Sequence, residues 1–171
     1  MGLLANLIVK AIPQLGASVV RRWRGPPAIA QLADAQQALS FKPCEILRTQ
    51  SEIDQSSRFL RDQGLLLNEC DAKNWDLAHI LPRLGHGNML DMGCQGSIVL
   101  DNAKKLGLAG EKIGIDLVEL PAREGIRLIK GDLTDTGLPA AHFDYLTCLS
   151  VIEHGVDVRA FVAECARLLK P

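Results

Sequence analysis

The sequence predicts an α/β fold, a parallel sheet with helices packed over its faces, for its C-terminal half, and three observations predict it. Apolar runs of strand length occur at 88–92, 112–116, 126–130 and 143–149. They alternate with helix candidates at 97–107, about 119–124 and 157–169, the rhythm of a sheet whose parallel strands are joined by helical crossovers. The run Asn88–Met92 then breaks into Gly93-Cys94-Gln95-Gly96, a strand, tight turn and helix start of the kind that binds nucleotide-like ligands in α/β proteins.

The chain has 171 residues, enough for one domain with or without an appended arm, and 47% hydrophobic with 23% charged residues is the composition of a globular protein. A formal net charge of −1 lacks the basic surplus that neutralises phosphates, so broad nucleic-acid binding is not expected. The five cysteines are odd in number and scattered, with no Cys-x-x-Cys pair, so neither a disulfide framework nor a metal site is signalled. They read as small buried apolar residues suited to a reducing cytoplasm.

Taken in order, residues 3–20 place Leu4, Leu7, Ile8, Ala11, Leu15 and Val19 near one helical face, and a basic, Trp-bearing end follows at Arg21–Arg24. This reads as an N-terminal amphipathic arm over 1–25, packed on its own domain, on a protein partner or on a membrane surface. It is too short and interrupted to span a membrane, and no basic residues precede it as in a signal peptide. Gly25-Pro26-Pro27 is a hinge candidate, and 26–87 form a helical lead-in. Within it, 28–39 have helical composition and the pattern resets at Phe41-Lys42-Pro43. A helix capped by Ser51 runs to about Gly64 and buries Ile53, Phe59 and Leu60. A second starts at Asn74-Trp75-Asp76, buries Leu77, Ile80, Leu81 and Leu84, and meets Pro82 near its end. Trp75 reads as core.

The chemistry is expected in 88–171. The strand Lys112–Asp116 ends in a carboxylate 25 residues after Asp91, close to the spacing at which an acidic side chain meets ribose hydroxyls. The next strand leads into Gly131-Asp132-Leu133, and the fourth opens onto Ser150, Glu153 and His154. Polar groups at four successive strand ends describe a cleft.

These motifs, Leu-Asp-Met-Gly-Cys, Gly-Ile-Asp-Leu, Gly-Asp-Leu, Phe-Asp followed by Val-Ile-Glu-His, and the closing Arg167–Pro171, together resemble class I S-adenosylmethionine-dependent methyltransferases over about residues 70–171. They are most similar to the small-molecule branch with Glu-His after the fourth strand. The resemblance implies a Rossmann-like, doubly wound sheet of order 3-2-1-4, with S-adenosylmethionine as cofactor and a small-molecule methyl acceptor. It places Asp91 near the methionine amine, Gly93 against the cofactor, and Gly96 at the bend into the following helix. Asp116 would bind the ribose and Asp132 the adenine amine, with a backbone N–H from Leu133. Ser150 would line the methionine side, and Cys94, Gln95 and Leu117 would complete the contacts. Glu153 or His154 would contact the acceptor or take its proton.

The family's turn usually reads Gly-x-Gly-x-Gly, and Gln95 and Ser97 replace the last two glycines, so Gly96 is expected to supply the flexibility. Relatives continue past the Lys-Pro pair into further strands. With those missing, the fourth strand is expected at an exposed edge. A non-catalytic remnant or interaction module is the competing reading. A nicotinamide-dependent oxidoreductase fits poorly, because the turn lacks Gly-x-Gly-x-x-Gly spacing.

Overall fold

A computed structural model describes residues 46–171 and a strand at 7–10. Its sheet has five strands, β1 (Leu7–Lys10), β2 (Met89–Met92), β3 (Lys112–Asp116), β4 (Arg127–Lys130) and β5 (Tyr145–Cys148), in the order β1-β5-β2-β3-β4. β2 to β5 are parallel and reproduce the expected 3-2-1-4 order. The fourth strand of that set, β5, is not an open edge. β1 pairs with it antiparallel, Leu7 opposite Cys148 and Lys10 opposite Tyr145.

That pairing corrects the helical reading of residues 3–20 where they are described. A short isolated helix is marginal in water, and the unpaired backbone of β5 offers a ladder to the β-branched pair Ile8-Val9. The rest of the arm, the hinge at 25–27, the helical segment at 28–39, the reset at 41–43 and Cys44 lie outside the described residues.

The lead-in forms α1 (Gln50–Asp62) and α2 (Asp71–Ile80). Thr49, rather than Ser51, caps α1 through a reciprocal box: its hydroxyl accepts from the Glu52 N–H, and Glu52 Oε2 accepts from the Thr49 N–H at 2.8 Å. Backbone donors from Arg48 and Thr49 hold the Glu52 carboxyl below its ordinary value. Leu60 is buried, whereas Ile53 and Phe59 are only half-buried. α2 begins three residues before the expected Asn74. Asn74 is buried inside the helix, where its Oδ1 accepts from the Asn68 N–H at 2.7 Å. Pro82 falls in a 3₁₀ turn over Leu81–Arg83, and half-buried Trp75 packs on the His79 ring with centroids 4.4 Å apart.

Two further helices, α3 (Val99–Lys105) and α4 (Val158–Leu168), follow β2 and β5. The helix expected at 119–124 is absent. That stretch is irregular and ends in a turn where Arg123 bridges Ile126, consistent with Pro121 interrupting a segment too short to nucleate a helix. The sheet divides the core in two. Met89 joins Leu60, Leu77 and Leu100 from α1–α3, and Leu81 of the 3₁₀ turn, on one face; Leu90, Met92, Ile113 and Ile115 meet Phe161, Cys165 and Leu168 of α4 on the other.

Candidate functional site

The carboxyl ends of β2–β5 open onto a cavity of about 620 Å³, a size suited to a nucleotide-like ligand. Its floor is the turn after β2. The N–H groups of Gly93 and Cys94 both donate to the Ile115 carbonyl, at 2.8 and 3.2 Å, which pulls the turn over β3. Gly93 has φ +77°, and a Cβ there would stand 2.2 Å from Val151 Cγ2. Only glycine fits. Gly96, at φ +69° with nothing within 4 Å of where a Cβ would stand, is required for conformation alone. Gln95 is exposed and buried Ser97 closes the turn by donating its N–H to the Cys94 carbonyl at 3.1 Å, so two glycines suffice where the family usually has three.

Asp116 faces this turn. Its Oδ2 accepts from the Gln95 N–H at 2.9 Å and its Oδ1 from the Val118 N–H at 3.3 Å, so the turn and the β3 end orient one carboxylate together. Beyond β4, the Thr134 hydroxyl and N–H both donate to Asp132 Oδ1 at 2.7 Å, the hydroxyl contributing most to holding that carboxyl below its ordinary value. Beyond β5, Ser150 has φ +54°, unusual for a residue with a side chain, and its buried Oγ has no hydrogen-bond partner among the described residues. Ser150 is therefore a candidate ligand-binding residue at the cavity wall.

Of the residues expected at the site, Gly93, Gln95, Asp116, Leu117, Asp132, Leu133, Ser150 and His154 line the cavity. Asp91, Cys94, Gly96 and Glu153 do not. Asp91 is only 1% exposed and accepts the Thr147 hydroxyl at 2.7 Å, bracing β2 against β5. Burial pushes its carboxyl up, while hydrogen bonds from Ser97 and Thr147 oppose the shift. Cys94 packs under the turn. A Cβ on Gly114 would lie 2.6 Å from its Sγ, and burial, then the Asp91 and Asp116 charges, push its thiol up to about 12. Glu153 is exposed on the 3₁₀ turn Ile152–His154.

Three contributors carry no signal in the sequence. Lys73 of α2 and Thr134 line the cavity. Arg123 binds the turn from outside it, donating to the Ser97 carbonyl at 2.8 Å and the Cys94 carbonyl at 3.4 Å while pairing with Asp101 at 3.2 Å. Arg123 reaches the turn from 26 to 29 positions away and Lys73 lines the cavity from about 20 positions before it, and no local pattern marks either.

Residues 90–171 match the family model described as a methyltransferase domain. Ubiquinone biosynthesis O-methyltransferase of Rhodopseudomonas palustris (strain HaA2) is 31% identical over 126 residues, which is 66% of this chain and 45% of the relative. The enzyme of the same name from Sodalis glossinidius is 34% identical over 107 residues, 56% of this chain and 43% of the relative. That from Proteus mirabilis (strain HI4320) is 26% identical over 98 residues, 48% of this chain and 38% of the relative. The chain thus spans less than half the length of each of these relatives. The parallel sheet, the positive-φ glycine turn and the strand-end carboxylates accord with that match, and together they support a methyltransferase domain of the class I S-adenosylmethionine-dependent type over residues 90–171.

Proposed function

We propose that this chain binds S-adenosylmethionine along the carboxyl edge of its sheet and takes part in methyl transfer to an oxygen of a small-molecule acceptor. The observation that carries the reading is the convergence of Gly93, Asp116, Asp132 and Ser150, from four strand ends, on one cavity. The donor set suits the cofactor. Asp116 offers acceptors for a ribose diol, Asp132 for an amine, and Gly93 a surface without a side chain against which a thioether chain can lie. Ser150 Oγ, unpaired in the structure, gains a partner on binding. The family implies this cofactor, and oxygen as the acceptor atom rests on the relatives' names.

The cofactor supplies an electrophilic methyl group on a positively charged sulfur. The turn and Asp116 would hold the adenosyl half, and the residues at the end of β5 would line the rest of the cavity. In-line displacement then draws most of its acceleration from alignment and exclusion of water. His154, on the cavity wall, would accept the acceptor's hydroxyl proton during methyl transfer. Glu153 is off the cavity wall, so the proton is assigned to His154 alone.

Calorimetric titration of the folded chain with S-adenosylhomocysteine tests binding, and transfer of a labelled methyl group to a panel of aromatic hydroxyl compounds tests activity. Saturable one-site binding supports the reading, and its absence at millimolar ligand refutes it. With an active acceptor, His154→Ala should lower kcat by roughly 10²-fold or more while leaving S-adenosylhomocysteine affinity intact.

A further inference from the structure

At the opposite, amino edge of the sheet, the starts of β3 and β4 border a second cavity of about 360 Å³, lined by residues 110–113 and 125–127. Three cations surround it. Lys112 and the exposed Arg127 stand on its wall, and Lys104 of α3 reaches the same wall at Gly125, its ammonium donating to the Glu124 carbonyl. A Cβ on Gly125 would stand 3.3 Å from Lys104 Nζ, so the glycine, at φ +68°, leaves that ammonium uncovered.

Edge protection explains Arg127, since β4 ends the sheet and charges on an edge strand discourage further pairing. It does not explain Lys112. That residue opens β3, between β2 and β4, and is only 8% exposed. Its ammonium donates to the Leu108 and Gly110 carbonyls, which leaves one of its three N–H groups without a partner among the described residues. Burial, and then the charge of Lys104, hold its pKa below the ordinary lysine value, and no carboxylate opposes them. Glu111, the one carboxylate on the wall, is turned away: its Oε2 meets His142 Nε2 at 2.7 Å, ahead of β5, which lies beyond β2 from β3. Neither Lys104, Lys112 nor Arg127 forms an ion pair among the described residues. Three uncompensated cations exceed what one carboxylate neutralises and suit a dianion, and the free guanidinium of Arg127 offers the paired donors that a phosphate accepts.

We propose that this cavity is a second ligand site, in which Lys104, Lys112 and Arg127 hold the phosphate group of a small soluble phosphomonoester. The site is separate from the cavity at the carboxyl edge. Lys112 and Asp116 stand at opposite ends of β3, roughly 13 Å apart at about 3.3 Å per residue. A ligand can therefore occupy it whether or not the carboxyl edge is filled, and the inference stands independently of the cofactor reading.

The test titrates the full chain with phenyl phosphate and with benzoate, which carries a carboxylate on the same ring, at fixed ionic strength, and follows backbone amide shifts by NMR. Phenyl phosphate should bind saturably with a Kd at or below about 1 mM, shift the amides of 110–113 and 125–127, and exceed benzoate by about tenfold or more. Arg127→Gln and Lys104→Gln, both at exposed positions, should each weaken it by about tenfold, the worth of a charge-assisted contact. Lys130→Gln, exposed at the other end of β4, should leave it within about twofold, since solvent screens so distant a charge. Equal affinity for benzoate, shifts spread over every cationic surface, an equal loss in Lys130→Gln, or no saturation by about 10 mM overturns the proposal. So does cosedimentation with phosphatidic-acid vesicles by a chain that does not bind phenyl phosphate, which would assign the cations to a lipid headgroup.

Discussion

Glu164 offers the sharpest test of how the helix behind the sheet holds the cavity. Its side chain, 7% exposed on α4, accepts the Thr136 N–H at 2.9 Å and hydroxyl at 2.6 Å on Oε1, and Arg167 donates Nε to Oε2 at 2.7 Å and Nη2 to Oε1 at 2.6 Å. Arg167 also donates to the Leu138 carbonyl at 2.8 Å, so both residues clamp the loop that begins with Asp132–Thr134 at the cavity. Hydrogen bonds from Arg167, with smaller help from Thr136, lower the Glu164 carboxyl from 4.5 to about 2. At about 1.4 kcal/mol per tenfold change, that difference corresponds to an upper bound of roughly 3 kcal/mol. Arg167 is 39% exposed and partly screened, so we expect Glu164→Gln to cost roughly 1–2 kcal/mol at pH 7. Because the folded-state value is depressed, this stability is present above pH 4.5 and is lost as pH falls toward 2. Urea unfolding of the wild type and Glu164→Gln from pH 7 to pH 2 should show a gap that closes on acidification. A gap that is absent at pH 7, or that persists undiminished at pH 2, would refute the clamp.

Gly93→Ala combines left-handed backbone strain with a clash on Val151 and should cost roughly 2–4 kcal/mol in thermal or urea unfolding, whereas Gly96→Ala, meeting no neighbour, should cost only about 1. Equal losses would mean that the close approach of Val151 does not matter. Asp91→Asn keeps an acceptor for Thr147 and removes a charge whose burial raises its pKa; that sign means the wild type loses stability as pH rises past the ordinary carboxylate range. Asp91→Asn should therefore gain on the wild type as pH rises above 3.8 in unfolding titrations, and a widening deficit would argue against it. Burial pushes the Cys94 and Cys148 thiols up to about 12 and Cys165 to about 11, while Cys70 is exposed at the start of α2. Alkylation of the native chain at pH 8, read by peptide mass spectrometry, should mark Cys70 far faster than these three, and early labelling of Cys94 would show that the turn opens.

The sheet is legible in the sequence because each of its parallel strands is a compact apolar run closed by a polar residue. The lead-in helices are legible from their apolar periodicity, though their starts are not. Thr49 wins the cap of α1 because Glu52 lies three residues on and can complete the box. Asn74 reads as a helix start, yet its hydrogen bond with Asn68 buries it one turn inside α2. Leu7 and Ile8 fall on an apolar helical face, and what overrides that pattern is an unpaired strand edge far along the chain, which no local window contains. Cys70 reads as a buried thiol like the others and is exposed, since a helix start packed on a loop has no apolar layer above it. Lys73 and Arg123 belong to the same class of invisible feature. Their significance comes from a turn that lies 20 to 30 positions away.

The three aspartates at the ends of β2, β3 and beyond β4 look equivalent as motif letters, but the strand register separates them. Asp91 is level with Gly114, so Asp116 stands two residues farther along the same face of the sheet. At about 3.3 Å per residue the offset is roughly 7 Å. Asp116 is in turn level with Lys130, and Asp132 lies two residues beyond that. The carboxylates therefore climb in steps across the sheet: Asp91 is still inside the ladder beside Thr147, Asp116 is at the rim and Asp132 is exposed above it. A spacing of 25 residues between Asp91 and Asp116 reports only the length of the crossover. The register decides that the innermost carboxylate braces the sheet while the outer two face the cavity. At the foot of that staircase the cavity wall is formed by the Gly93–Gln95 turn, which makes the exclusion of a side chain at Gly93 the main demand the site places on β2.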